Sequence, residues 1–310
     1  MDVAPIAPQI GVFLPTMSAP DSQPGDVVAA ARHAEDLGFG SVWAVDQLVA
    51  GTGAPLVDSM IALSAAAGAT TRVQVGLGVV IVPIRPVAWI AKQVASMQLV
   101  SNGRVVLGVG VGGDRHDRSW EASGVPRHER GARTDAALAV LADLIAGKRA
   151  PLPDVDGAPV VQLAPGVAVP PILVGGTADA ALRRAVRHGD GWFAMPVPPE
   201  VAAPYVGRLR QFAADAGRPA PSVTGSITIA LDGDPTLPAH GEIVRRLSDP
   251  DGVYGMPPDV IDSVLVTGGA DEVGERLAGW AALGADRVVF TLAAGDWHRQ
   301  SELLAAAVSH

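Results

Sequence analysis

A chain of 310 residues is long enough for one large barrel of about 250 residues with insertions, or for two ordinary domains. Hydrophobic residues make up 48% of it but aromatics only 4%, so Ala, Val, Leu and Ile have to fill the interior, as in helices packed on buried parallel strands. The lack of cysteine excludes disulfides, thiolate metal sites and a thiol nucleophile, and a formal charge of -9 argues against a nucleic-acid partner.

Residues 10–14 (IGVFL) form an apolar run stopped by Pro15, and 25–37 follow with helical spacing at Val28, Ala31, Ala34 and Leu37, closed by Gly38. A strand over 41–45 (SVWAV) and a helix over roughly 57–69 complete a second pair. Residues 73–82 (VQVGLGVVIV) make a β-branched strand interrupted by Gly76 and Gly78, and Pro86 opens a helix running to about Ser101. The fourth strand, 104–110 (RVVLGVG), leads through a loop at 111–127 to a helix over 129–146, with Leu138, Leu141 and Leu144 on its inner face. Residues 147–170, rich in Pro, Gly and Asp, break the rhythm and read as an inserted surface hairpin. Strand 171–174, helix 177–188, strand 190–194, helix 199–216 and strand 223–230 restore it. A second insertion at 232–262, with a short helix at 240–247, is expected over the barrel mouth; helix 271–283, strand 286–292 and helix 298–308 finish the chain.

Three helix-to-strand junctions, AEDLGFGSVWAV, AVRHGDGWFAM and AALGADRVVFTL, share one phrase with a glycine at 38, 189 or 284. A wheel of like units gives such recurrence. The fold class is therefore α/β, a single (β/α)₈ TIM barrel over 1–310, with a doubly wound open sheet as the competitor. Residues 1–9 carry neither a basic segment nor an apolar run of signal length, and no stretch reaches the ~18 apolar residues of a membrane span, so the expected setting is cytoplasmic, away from membranes.

The phrases RHAEDLGFGSVWAVDQL (32–48), PVAWIAKQVASMQLVSNGRVVLGVGVGG (86–113), HERGARTDAALAVLADL (128–144) and PPILVGGTADAALRRAVRHGDGWFA (170–194) resemble the luciferase-like monooxygenase family. That resemblance implies a barrel with flavin or the deazaflavin F420 at its C-terminal mouth, in a homodimer.

Glycine in mid-strand weakens pairing unless the backbone bulges or is closely approached. At Gly78 and Val79 the resemblance implies the non-proline cis peptide that backs the cofactor ring, so this bond is expected to be cis or bulged. Gly108, Gly110, Gly112 and Gly113 end the fourth strand and can let the ring or ribityl chain lie against backbone, or can serve tight turning. VGGT at 174–177 ends a strand and opens a helix, so Gly175, Gly176, Thr177 and Ala178 offer amides and a hydroxyl to an anion, and the resemblance puts the cofactor phosphate there.

Asp46 and Gln47 sit at the C-terminal end of the second strand, where barrel chemistry is placed. The second of these is histidine in much of the family, and Gln47 cannot exchange a proton near neutral pH. Either another group, with His116 and His128 as candidates, supplies the proton, or Gln47 only hydrogen-bonds substrate or ring. Asp114 follows Gly113 where the family often carries Trp or Glu, which prevents transfer of a catalytic carboxylate. Phe13, Trp120, Met195 and Trp297 are candidates for an apolar substrate wall, whereas Trp43 reads as core. The lysines and the tryptophan expected for a sugar-phosphate clamp are missing, and no spaced metal-ligand cluster appears.

The leading expectation is an F420-dependent oxidoreductase moving a hydride between deazaflavin C5 and a small, largely apolar substrate. The alternatives are an FMN monooxygenase served by a separate flavin reductase, and a non-catalytic cofactor-binding protein.

Overall fold

The chain alternates strands and helices in the expected order. In a computed structural model that describes residues 7–18, 23–113 and 117–309, the first half comprises β1 (Gln9–Phe13), α1 (Val27–Asp36), β2 (Ser41–Ala44), α2 (Ser59–Ala69), β3 (Gln74–Ile81), α3 (Val87–Val100), β4 (Val105–Gly110), α4 (Arg118–Ser123) and α5 (Arg130–Ile145). Then come β5 (Arg149–Pro151), β6 (Val160–Gln162), β7 (Ile172–Gly175), α6 (Asp179–His188), β8 (Gly191–Phe193), α7 (Pro199–Asp215) and β9 (Ser222–Leu231). The last elements are α8 (His240–Ser248), α9 (Pro258–Val264), β10 (Leu265–Gly268), α10 (Ala270–Ala282), β11 (Arg287–Leu292) and α11 (Trp297–Val308).

Parallel pairing runs from β1 through β2, β3, β4, β7, β8, β9 and β11 and back to β1, which closes the sheet and excludes the open-sheet alternative. Along each strand alternate side chains point in and out. The outward set, with Val42, Val75, Leu107 and Val288 among it, packs under the helices. The inward set is a separate cluster of Trp43, Val106, Leu173, Phe193 and Val289, bordered by Phe13 and Val79. Trp43 is fully buried, as expected of core. Its indole fills the barrel because Gly76 and Gly11 face it: a Cβ on Gly76 would lie 2.3 Å from its ring.

The inserted hairpin is present as antiparallel β5 and β6. The second insertion holds more than one short helix. Residues 258–264 form α9, and 265–268 form β10, which takes the edge of β9 beyond the reach of β8, pairing Leu265 with Thr228 and Gly268 with Leu231. Ile243, Leu247, Ile261 and Leu265 give this insertion its own small core against Ala230. Its tip crosses to the loop after β2, where a Cβ on Gly51 would meet Gly252 at 2.9 Å. The loop at 111–127 likewise contains α4, a six-residue helix absent from the sequence reading.

Below the barrel, one carboxylate organises the turn into β3. Glu35 accepts from the amides of Thr71 at 3.0 Å, Arg72 at 2.6 Å and Val73 at 3.0 Å. Burial pushes this carboxyl up, but the three amides and the Arg72 guanidinium together outweigh it and bring the pKa from 4.5 down to about 2. The folded value is the lower one, so this stabilisation is present above pH 4.5 and lost as pH falls toward about 2. Glu35→Gln should cost about 1 to 2 kcal/mol at neutral pH, the shift being discounted for solvent screening, and almost nothing near the acid end; urea unfolding against pH checks this.

Candidate active site at the barrel mouth

Every strand of the barrel runs toward the same rim, so its C-terminal ends gather one set of loops. On β3 the register with β4 slips between Leu77 and Val80, leaving Gly78 and Val79 opposite the single residue Gly108. The Gly78–Val79 peptide is cis. Both features were expected as alternatives, and both are there. The slip turns Val79 into the barrel, where it remains partly exposed.

Three glycines surround that side chain. A Cβ on Gly108 or on Gly110 would lie 2.8 Å from a Val79 methyl, and one on Gly175 would lie 3.3 Å away. Gly112, at φ +78, is pressed by Ile81 and Trp120, and a Cβ on Gly113 would enter open space. The ends of β3, β4 and β7 thus form a backbone-walled cradle over Val79. A flat ring system fits it, because any larger side chain at 110 or 175 would occupy the same room.

The VGGT turn lies beside this cradle. Gly176 takes φ +115, open to glycine alone at little cost, and its carbonyl accepts from Trp192 Nε1 at 2.8 Å. Ala178 caps α6 without a side-chain hydrogen bond, so no side chain competes for that helix terminus. Arg208 forms an ion pair with Asp179 in the first turn, which brings a cation to the same place.

Asp46 is buried and fully engaged. Its oxygens accept from Arg85 Nη2 at 2.8 Å, Ile81 N at 2.9 Å, Arg85 Nη1 at 3.0 Å and Ser59 Oγ at 3.0 Å. Burial pushes its carboxyl above the ordinary range, against the pull of Arg85, the Ile81 amide and the Ser59 hydroxyl. This carboxylate ties the end of β2 to the end of β3. Gln47, next to it, carries a buried Oε1 with no hydrogen-bond partner. His128 is a surface residue, its side chain 84% exposed beside Glu129. His116 and Asp114 lie outside the described residues. Phe13 accepts from Trp297 Nε1 at 2.9 Å through its carbonyl, which fixes Trp297 on the mouth, and Met195 is exposed after β8.

Four of the cations described near the mouth are engaged: Arg85 also binds Asp58, Arg118 the Gly51 carbonyl, Arg127 Asp117 and Arg299 the Gly233 carbonyl. Neither lysine is at the mouth; Lys92 contacts the Ala164 carbonyl and Lys148 pairs with Asp143. Among the described residues no group of three or more His or carboxylate side chains could hold a metal, and no helix is long and apolar enough to cross a membrane. A cavity of about 550 Å³ lies outside the barrel between α7 and α10, lined by Pro199, Glu200, Thr267, Glu272 and Arg276. It lies against β10, outside the closed barrel, and Glu272 there caps α10 through the Gly269 amide.

A family model described as luciferase-like monooxygenase matches residues 9–236. The chain belongs to the luciferase-like monooxygenase family. An uncharacterised protein of Mycobacterium tuberculosis is 34% identical over 202 residues, 64% of this chain and 66% of that one, so the match spans just under two thirds of the relative's length. F420-dependent glucose-6-phosphate dehydrogenases match over shorter stretches: 32% identity over 184 residues, 56% of this chain and 54% of the other, in Beutenbergia cavernae, and 41% over 100 residues, 31% and 29%, in Amycolatopsis mediterranei. Among solved structures, an F420-dependent secondary alcohol dehydrogenase superposes with a TM-score of 0.80 at 18% identity, covering 98% of this chain and 99% of that one. A monooxygenase from Streptomyces bottropensis superposes with 0.77 at 20% identity, over 97% and 98%. These two structures share the barrel along its whole length, and membership of a monooxygenase family places the chain among oxidoreductases.

Proposed function

We propose that the chain is an F420-dependent oxidoreductase that moves a hydride between the deazaflavin and a small, largely apolar organic substrate. The observation that carries this reading is the glycine-walled cradle around Val79. The F420-dependent relatives, at 32% and 41% identity, favour deazaflavin over FMN. Gly78, Val79, Gly110, Gly112 and Gly113 would border the ring, and Gly175, Gly176, Thr177 and Ala178 the phosphate of its tail. Bound deazaflavin supplies an obligate hydride donor and acceptor at C5. The chain's own part is to orient, to exclude water and to offer hydrogen bonds. Gln47 presents a carbonyl and carries no titratable proton; Asp46, held by Arg85, positions β2 against β3. The distant lysines, and the hold that carboxylates or carbonyls have on Arg85, Arg118 and Arg127, disfavour a sugar phosphate as substrate.

Titrating the purified protein with F420 and with FMN while following coenzyme fluorescence tests the proposal. Quenching by F420 at micromolar concentration with weaker response to FMN is expected; the reverse order would replace it with the flavin monooxygenase reading.

We also propose self-association, through the outer face of α2 and α3. α2 has no charged residue and α3 only Lys92, whereas Ile61, Trp89, Leu99 and Val100 there are 66%, 64%, 57% and 57% exposed. In a chain of charge -9, two copies meeting on an uncharged face avoid burying like charges. Ile61 shares its exposed face of α2 with small Ala65 and Gly68, which together with Trp89 on α3 gives the knobs and hollows that a two-fold contact requires. Trp89→Glu should weaken the dimer by about 2 kcal/mol or more, roughly thirtyfold in Kd, measurable by sedimentation.

A further inference from the structure

The mouth holds a second unpaired polar atom. Trp120, on α4, is 3% exposed, and its Nε1 has no hydrogen-bond partner, just as Gln47 Oε1 has none. A buried donor or acceptor without a partner costs about 1 to 3 kcal/mol, so such atoms are rare unless something else completes them. Among the described residues two more such atoms lie elsewhere: Trp280 Nε1 is in the core against Gly225, and His33 Nε2 is on α1, 3.9 Å from Glu302.

The segments that carry Gln47 and Trp120 are held together. The Val49 amide donates to Ser119 Oγ at 3.1 Å and Ser119 Oγ donates back to the Val49 carbonyl at 3.3 Å, which clasps the loop after β2 to α4. On the other side, Asp46 holds the Ile81 amide, and a Cβ on Gly112 would meet both an Ile81 methyl and the Cζ2 corner of the Trp120 indole at 2.9 Å, next to the edge that carries Nε1. The corner therefore joins the ends of β2, β3 and β4, beside the Val79 cradle. It offers one acceptor and one donor, Gln47 Oε1 and Trp120 Nε1, and the Asp46 carboxylate beside it is already held by Arg85, which also pairs with Asp58.

We infer that Gln47 Oε1 and Trp120 Nε1 form a polar pair that binds a hydroxyl of an otherwise apolar substrate, the hydroxyl donating to Gln47 and accepting from Trp120. A carboxylate or a fully ionised phosphate has no proton for Gln47, and an ammonium has no lone pair for Trp120. A hydroxyl has both. Discrimination against analogues lacking the group is then large, since they leave both buried atoms unpaired. The inference rests on the mouth being the substrate site; it does not depend on which coenzyme is bound.

The test reads the indole directly. In protein labelled with ¹⁵N-tryptophan, the Trp120 Nε1–H resonance is assigned as the one missing in Trp120→Phe, or in Trp120→Tyr if the first variant does not fold. Cyclohexanol should move this resonance downfield in a saturable way, while methylcyclohexane should not. Gln47→Leu should weaken the alcohol by about tenfold, the loss of one hydrogen bond with its partner left unpaired. An unmoved resonance, an equal response to the hydrocarbon, or unchanged alcohol affinity in Gln47→Leu would overturn the inference. So would a shift produced by F420 or FMN alone and not by the alcohol, which would assign the pair to the coenzyme's amide edge. Failure of F420 to bind leaves this measurement intact, so the two proposals fail separately.

Discussion

Arg85→Ala is expected to lower stability by about 3 to 5 kcal/mol at neutral pH, the cost of leaving a buried carboxylate without its cation. For a domain of this size that corresponds to roughly 5 to 8 °C in Tm. Asp46 has a side chain only 1% exposed and holds two guanidinium nitrogens at 2.8 and 3.0 Å. Removing the guanidinium leaves only the Ile81 amide and the Ser59 hydroxyl to stabilise the charge.

The pH dependence distinguishes this cause from simple loss of packing. Burial already raises the Asp46 carboxyl above its ordinary 3.8. A carboxyl raised in the folded state binds its proton more tightly there than in the unfolded chain, so stability falls as pH rises from 3.8 through the folded pKa. Without Arg85 that window extends upward. The deficit of Arg85→Ala should therefore be small in acid and grow toward neutrality, and adding Asp46→Asn should recover a good part of it. A deficit independent of pH, or no recovery in the double variant, would mean that Arg85 acts through its hydrocarbon stem. Thermal unfolding followed by circular dichroism across pH 3 to 8 gives the answer.

The strands were legible because each is a short β-branched run between a helix-ending glycine and a loop, and tertiary structure adds little to that signal. Gly38 and Gly284 take φ +87 and +75 as helix-ending glycines do, while Gly189, in the same phrase, stays extended and is required by the nearby Ile172 and Ala185 carbonyls. Gly78 was informative for the opposite reason: a glycine in a buried strand has no packing to offer, so its presence marks backbone geometry. The elements that went unread are held from outside. α4 has no side-chain cap and depends on Ser119 and buried Trp120, and β10 is four residues supported by β9. Asp46 could be placed at a strand end from sequence, but its partner lies 39 residues on, at no spacing that marks it. That separation conceals a positioning role behind a catalytic-looking address. The unpaired state of Trp120 Nε1 is likewise a property of its surroundings, which the tryptophan alone does not encode.

Gly110→Leu is expected to weaken coenzyme binding by roughly 10 to 100-fold, corresponding to the 1 to 3 kcal/mol typical of forcing added carbon into a fitted space. The position separates binding from folding. A Cβ at Gly110 meets only the Val79 side chain, at 2.8 Å, and no backbone, so the strand can accept it. At Gly108, by contrast, the same atom would strike the Leu77 carbonyl oxygen at 2.1 Å, and a variant there would damage the barrel itself. Gly175→Ala sets the lower bound, since its Cβ would be 3.3 Å from Val79, a distance that a small rotation of the methyl relieves. Coenzyme affinity should then fall in the order wild type, Gly175→Ala, Gly110→Leu, with Tm nearly constant, whether F420 or FMN is used for the fluorescence titration. If Gly110→Leu binds as tightly as the wild type, the space over Val79 is not where the ring lies, because the added side chain starts against that valine.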